Sequence, residues 1–125
     1  MTATPETARQ TAEEYVRAWL AGDADKALGF IADDVVCEAP GGRIEGLAAY
    51  RDFLAPFVGG LLGGRLTDVL VSDDTHAATV YTVDLPFAKD FRGMEYLTVK
   101  NGRITEVVSV FDLTPIINAG AAPQN

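Results

Sequence analysis

The chain has 125 residues, 48% of them hydrophobic, and carries a formal net charge of −8. This length predicts a single domain over residues 1–125, with flexible ends over about 1–5 and 116–125. The negative charge excludes a nucleic-acid partner, because binding phosphates requires clustered Lys and Arg, and it disfavours anionic membrane surfaces.

Three helices are predicted in the first half of the chain. Thr4 caps the first helix, Pro5 takes its first position and Gly22 ends it. Asp23 then caps a second helix that runs to about Ile31. The apolar residues of the first helix recur at helical spacing: Ala12, Tyr15, Val16, Trp19 and Leu20.

A third helix is predicted from about Leu47 to Phe57, where Pro56 kinks or ends it. Val35–Ala39, before that helix, is predicted to be a short strand stopped by Pro40. Helices first and strands afterwards indicate an α+β fold, with the helices packed on one face of an antiparallel sheet. The later strands are predicted at Arg65–Ser72, His76–Leu85, Phe91–Val99 and Arg103–Asp112.

Glu95 is the most informative residue of the predicted sheet. Because side chains alternate along a strand, Phe91, Gly93, Glu95, Leu97 and Val99 share one face, and Glu95 is its one charged member. A carboxyl group on an apolar face must be paired, hydrogen-bonded or held neutral, and such groups cluster at functional sites. The alternative is structural, with the carboxylate bound to backbone or to a nearby Arg.

The last hairpin has two plausible registers. A two-residue turn places Glu95 opposite Val108. A three-residue loop with a glycine bulge places Glu95 opposite Val107 and Gly93 opposite Ser109. The choice decides whether Ser109 or Val108 shares the Glu95 face.

Neither a metal site nor a cofactor is expected. The chain has one His and one Cys, and it contains no HExxH, CxxC or EF-hand pattern. The single cysteine forms no intrachain disulfide, and the start of the chain, Met1–Gln10, lacks the apolar region of a signal peptide. No apolar run is long enough to cross a bilayer, so a cytoplasmic protein without a membrane partner is predicted.

The order of these elements resembles the nuclear transport factor 2-like superfamily, in its SnoaL-like polyketide cyclase and ketosteroid isomerase-like group. The resemblance implies a cystatin-like fold, in which a curved antiparallel sheet wraps around three N-terminal helices and forms a cone-shaped pocket. It also favours the three-residue register. The residues that carry it are Tyr15–Asp23, Phe30–Val36, Glu38–Pro40, Gly46, Gly102–Ile104 and Phe111–Asp112.

The resemblance implies a mainly apolar pocket for a small apolar organic ligand. Tyr15 and Glu95 look like the two groups that hold the substrate oxyanion in ketosteroid isomerases. Asp34 is a third candidate, near the pocket mouth, where a turn role is the alternative. The implied pocket residues are Trp19, Phe30, Cys37, Ala39, Phe57, Tyr81, Gly93, Val107, Ser109 and Phe111.

The chain departs from the family at the positions where a base is expected. Ala39 stands where the isomerases have an Asp, and Ser109 stands where cyclases and epoxide hydrolases have one. The hydrolases also need an Arg at the position of Gly93, so an epoxide hydrolase fits less well. Asp112 is expected to hold a turn or a helix end.

Three functions are therefore weighed. The first is an isomerase or cyclase that stabilises an oxyanion on an apolar carbonyl compound. The second is a non-catalytic ligand-binding or accessory protein, and the third is a dimeric interaction module whose pocket is plugged by Trp19, Phe30 and Phe57. A homodimer through the convex face is predicted in each case, because that face carries Met94, Tyr96, Ile104, Val108 and Val110.

Overall fold

The computed structural model describes residues 5–119, over which the chain forms four helices and six strands. The predicted cap Thr4 and the outermost predicted flexible residues lie outside the described residues. None of the described helices is both long and apolar enough to span a bilayer. The helices are α1 (Pro5–Leu20), α2 (Ala24–Leu28), α3 (Leu47–Gly59) and α4 (Thr114–Asn118).

The six strands form one curved sheet in the order β2-β1-β6-β5-β4-β3. All neighbouring pairs are antiparallel except β1 and β6, which run parallel. The predicted α+β class and curved sheet are confirmed, with this one parallel pair as a correction. The strands are β1 (Ile31–Ala39), β2 (Gly42–Glu45), β3 (Gly63–Asp73), β4 (His76–Leu85), β5 (Ala88–Lys100) and β6 (Arg103–Phe111).

The N-terminal helices follow the capping signals of the sequence. Asp23 caps α2 as predicted, because its side chain accepts a hydrogen bond from the backbone N–H of Lys26 at 3.0 Å. The helix ends at Leu28, however, because the chain turns there and Ile31 already begins β1. Helix α3 continues through Pro56 to Gly59, so the proline does not end it as predicted.

The first strand is longer than predicted, and the strand that follows it was missed. Strand β1 begins at Ile31 rather than Val35. The chain reverses after Pro40, and Gly42 then pairs with Ala39 to begin β2. Pro40 and Gly41 therefore form the turn of a hairpin instead of ending the sheet at this point.

The β5–β6 hairpin combines a tight turn with a bulge. Asn101 and Gly102 form a two-residue turn and both have positive φ, 53° and 74°, which matches the twist of the two strands. Farther from the turn, Thr105 has no partner on β5, so the register shifts by one residue.

This bulge sets the pairing of Glu95. Glu95 lies opposite Ser109, so both predicted pairings, with Val108 and with Val107, are wrong. Ser109 nevertheless shares the Glu95 face, because the bulge changes the parity that the two-residue turn alone would give. For the same reason Ile104 is fully buried in the core and does not lie on the convex face as predicted.

The core lies between the concave face of the sheet and the helices. Helix α1 packs mainly on β3 and β4, and α3 packs on β1. The convex face of β5 and β6 is open, with Tyr96 45% and Val110 57% exposed. At the end of the described chain, Thr114–Asn118 forms the short helix α4. The largest fully buried side chains include Trp19, Tyr15, Tyr50, Ile31, Leu97 and Ile104.

Candidate active site

A cavity of about 950 Å³ opens between the concave face of the sheet, α3 and α4. This volume lies within the range that proteins use to hold small organic ligands. Its wall is dominated by aromatic rings, which favour flat apolar molecules. The aromatic wall residues are Trp19, Phe53, Phe57, Tyr81, Phe87, Phe91 and Phe111.

Glu95 lies on the floor of this cavity within a polar row that crosses three strands. It pairs with Thr79 on β4 and with Ser109 on β6, and all three side chains are buried. The Ser109 hydroxyl donates a hydrogen bond to Glu95 Oε2 at 3.0 Å. Glu95 Oε1 and Thr79 Oγ1 have no hydrogen-bond partner within the described chain. An unpaired buried oxygen is costly, so a hydrogen-bond partner for either of these oxygens would be favourable.

Burial raises the pKa of Glu95 from 4.5 to about 7, and the hydrogen bond from Ser109 opposes that rise. Desolvation favours the neutral acid because the charged form loses its hydration in the apolar cavity. A carboxyl group with this pKa is substantially protonated near neutral pH. Because Ser109 is bonded to Oε2, Oε1 is the buried oxygen that is left to carry the proton.

Two further tyrosines lie beside this acid, behind the cavity wall. The hydroxyl of Tyr15 on α1 is hydrogen-bonded to that of Tyr50 on α3, and both residues are fully buried. Burial first, and then the nearby charge of Glu95, raise the pKa of both phenols well above the usual value. Both phenols therefore stay neutral. Neither residue lines the cavity, so Tyr15 is close to Glu95 but not exposed to a ligand in this conformation.

Seven of the predicted site residues line the cavity. They come from six elements, α1, β1, α3, β4, β5 and β6, which the curvature of the sheet and the packing of the two helices on it bring together. The seven are Trp19, Ala39, Phe57, Tyr81, Glu95, Ser109 and Phe111.

Five other predicted residues lie elsewhere. Asp34 is exposed and outside the cavity wall. Phe30 follows the early end of α2 and lines a separate pocket beside α1. Cys37 is buried with its Sγ 4.0 Å from Ser109 Oγ, and burial raises the pKa of its thiol to about 11, which suits packing. Gly93 is covered by a tyrosine ring, and Val107 is buried without reaching the wall.

The polar mouth of the cavity was missed by the sequence reasoning. Arg43 and Glu45 come from strand β2, which was not predicted. The guanidinium of Arg43 forms ion pairs with Glu38 (Nη1 to Oε1, 3.1 Å) and with Glu45 (Nε to Oε2, 3.3 Å). Asp52 lies on the cavity face of α3 and, within the described chain, forms no ion pair. The helical spacing of Ala49, Asp52, Phe53, Pro56 and Phe57 was the signal that could have identified this face.

Two other features are structural. Asp112 Oδ1 accepts a hydrogen bond from the backbone N–H of Thr114 at 2.9 Å, which lowers the pKa of Asp112 and stabilises the start of α4. This agrees with its predicted role at a helix end. In residues 5–119, no group of three His, Cys, Asp or Glu side chains is arranged to hold a metal ion.

The architecture has close structural relatives. One is a protein from Kribbella flavida DSM 17836, 38% identical with a TM-score of 0.86, covering 91% of this chain and 93% of that chain. A candidate ketosteroid isomerase from the same organism is 26% identical with a TM-score of 0.72, and the match covers 86% of this chain and 78% of that chain. A candidate polyketide cyclase from Xanthomonas campestris pv. campestris is 27% identical with a TM-score of 0.71, and the match covers 90% of this chain and 96% of that chain.

These likenesses agree with the curved sheet and cone of the nuclear transport factor 2-like class. The SnoaL-like domain model matches residues 12–107, and the chain belongs to that family. No curated protein shows significant similarity to the chain.

Proposed function

We propose that this protein binds a small apolar carbonyl compound in its cavity and isomerises or cyclises it through an enolate. The observation that carries the proposal is the buried Glu95, whose pKa of about 7 keeps it substantially protonated on an apolar floor. A neutral carboxylic acid can donate a hydrogen bond to a carbonyl oxygen. In ketosteroid isomerases, an aspartic acid kept neutral by its apolar surroundings donates a hydrogen bond to the substrate oxygen in this way.

The hydrogen bond from Glu95 would strengthen as negative charge develops on the oxygen. Such a bond stabilises the transition state more than the bound ketone, which is the condition for catalysis. Ser109 supports this role because its own hydrogen bond occupies Oε2 and leaves Oε1 for the substrate. The absence of a protein partner for Oε1 within the described residues supports the same assignment.

A base must remove a proton from the carbon beside the carbonyl group. Of the three wall carboxyl groups, Glu95 serves as the acid and Glu45 is paired with Arg43. Asp52, on the cavity face of α3, is the remaining carboxylate, and it forms no ion pair in the described chain. We assign it the role of base in place of Asp34, whose position outside the wall gives no support for that role.

In the proposed reaction, Asp52 takes the proton and the C–H electron pair forms the carbon–carbon double bond of the enolate. The carbonyl π electrons move onto the oxygen, where the bond from Glu95 stabilises them. Isomerisation requires a carbon–carbon double bond next to the deprotonated carbon. Asp52 returns the proton to the far carbon of that double bond, the double bond moves into conjugation with the carbonyl group, and the carbonyl group re-forms. Cyclisation ends when the enolate carbon bonds to a second carbonyl carbon of the same substrate and that oxygen takes the proton.

The enolisation step can be tested before the natural substrate is known. We would follow exchange of the α-protons of 2-tetralone with deuterated water by NMR, above the buffer rate, because exchange reports enolate formation directly. Glu95→Leu and Asp52→Asn should each reduce the enzymatic rate by about 10²-fold or more. Asp34→Asn and the exposed sheet variant Glu106→Gln are the matched controls and should retain it.

The same ligand separates binding from catalysis. Tetralone binding, measured by calorimetry and by fluorescence of the sole tryptophan, Trp19, should weaken about tenfold in Glu95→Leu. Wild-type protein that binds tetralone through Glu95 without accelerating exchange would favour a non-catalytic ligand-binding protein. An unchanged affinity in Glu95→Leu would contradict the proposed oxyanion site.

A further inference from the structure

The phenol of Tyr81 lies flat against a gap left by glycine. Tyr81 on β4 pairs directly with Gly93 on β5, on the concave face. A Cβ atom added to Gly93 would lie 2.5 Å from the Tyr81 hydroxyl oxygen and 2.6 Å from the ring carbon that bears it. Such distances are far below van der Waals contact, so the tyrosine occupies this position because residue 93 has no side chain.

The ring is held from its other side by Trp19. The two ring centroids are 4.9 Å apart at an interplanar angle of 86°, an edge-to-face contact of the favourable kind. Tyr81 is a buried residue that lines the cavity, yet its hydroxyl is hydrogen-bonded to no group within residues 5–119. A phenol fixed in this way presents its donor to a ligand at little entropic cost.

The hydroxyl of Tyr81 lies near the acid of the site. It sits over Gly93, and residue 95 is the next residue of β5 on the same face, about 7 Å further along the strand. That distance separates two backbone positions, and long side chains that lean along the strand can bring a phenol and a carboxyl group within reach of one ligand oxygen. Burial first, and then the charge of Glu95, raise the pKa of the Tyr81 phenol, and the second effect places the two groups close together. Tyr15 differs, because its hydroxyl is bonded to Tyr50 behind the wall.

We infer that Tyr81, held over Gly93, is the second hydrogen-bond donor to the ligand oxygen that Glu95 binds. Tyr15 and Tyr50 then support the floor from behind without contacting the ligand. This inference rests on the proposed function, and it names Gly93 as the residue that positions the donor. The site thus selects ligands with an oxygen acceptor at the inner end of an otherwise apolar body.

A matched pair of ligands isolates the oxygen contact from packing. We would measure the affinities of 2-tetralone and of tetralin, the hydrocarbon without the oxygen, at pH 6, where Glu95 is mostly protonated. Tyr81→Phe keeps the ring and should lower the tetralone-to-tetralin affinity ratio about five- to tenfold. Tetralin affinity should not change. Tyr15→Phe and the convex-face control Tyr96→Phe should leave the ratio within about twofold.

Gly93→Ala provides a second, independent variant. The new methyl group should displace the phenol and lower the same ratio, although the hydroxyl is still present. In a Tyr81→Phe background the same substitution should not lower the ratio further, because no hydroxyl remains to displace. Far-ultraviolet circular dichroism and thermal unfolding would check that each variant is folded.

The outcomes separate this inference from the function on which it rests. A ratio that falls in Glu95→Leu but not in Tyr81→Phe would overturn the role of Tyr81 and leave the proposed function intact. A ratio that falls in Tyr15→Phe instead would assign the donor to Tyr15. Wild-type protein that binds tetralone no more tightly than tetralin would overturn both.

Discussion

Strands β5 and β6 bury polar side chains on their concave face and expose large apolar side chains on their convex face, which is the reverse of the usual pattern. On the concave face, inside the core, Glu95 and Ser109 are each 5% exposed. On the convex face, Tyr96 is 45% and Val110 57% exposed. Burying a carboxyl group and exposing large apolar groups both cost free energy, so we propose that each exception marks a functional surface, for a ligand on one face and for a partner on the other.

The largest expected effect comes from the charge of Glu95. Its pKa is about 7 in the folded state and 4.5 when exposed, so the folded protein binds the proton more tightly than the unfolded chain does. Stability therefore falls as pH rises from about 4.5 to about 7, by about 3 kcal/mol when Glu95 is fully ionised. Below pH 4.5 this penalty is absent.

Glu95→Gln should remove that slope. Urea unfolding at pH 5 and pH 8 would show the variant gaining stability relative to wild type at the higher pH by about 2–3 kcal/mol. Glu106→Gln, on the exposed face of the same sheet, should show no such gain. An equal pH slope in wild type and Glu95→Gln would mean that the carboxyl group is not held neutral by burial.

The next effect concerns the hydrogen-bonded hydroxyl groups of Tyr15 and Tyr50, which lie behind the cavity floor. Tyr15→Phe or Tyr50→Phe leaves one buried hydroxyl unbonded, so either single change should cost about 1–3 kcal/mol of unfolding free energy. The double variant should cost less than the sum, because it removes both polar groups together. Additive losses, measured by urea unfolding, would indicate that the two hydroxyl groups do not depend on each other.

The smallest effect on folding is expected from the convex face. The homodimer remains a prediction, and Val110→Asp should convert the dimer to a 13.3 kDa monomer by light scattering while unfolding free energy per chain changes by under about 0.5 kcal/mol. Glu14→Gln, at an exposed position of α1, should leave the mass unchanged. If the wild-type protein is monomeric at high concentration, the homodimer prediction is wrong and this apolar face would be assigned to a different partner.

Local patterns in the sequence predicted most of the fold. Alternation along β5 identified the buried face of Glu95, and the capping residue Asp23 identified the start of α2. These features depend on a few neighbouring residues, which is why the sequence alone reveals them. Strand β2 was missed because the turn residues before it signal a stop as readily as a hairpin.

The site was determined by relationships between distant residues. The sequence by itself identified Glu95 as an unusual acid on an apolar face, and the family resemblance implied that Trp19 and Tyr81 line the same pocket. The bulge at Thr105 decided that Ser109 bonds this acid, since one unpaired residue changes which side chains share a face. The positions of α1 and α3 over the sheet joined Tyr15 to Tyr50 by a hydrogen bond, and neither residue lines the cavity. Tertiary structure alone decided these contacts, because they depend on strand register and helix position, which no local pattern encodes.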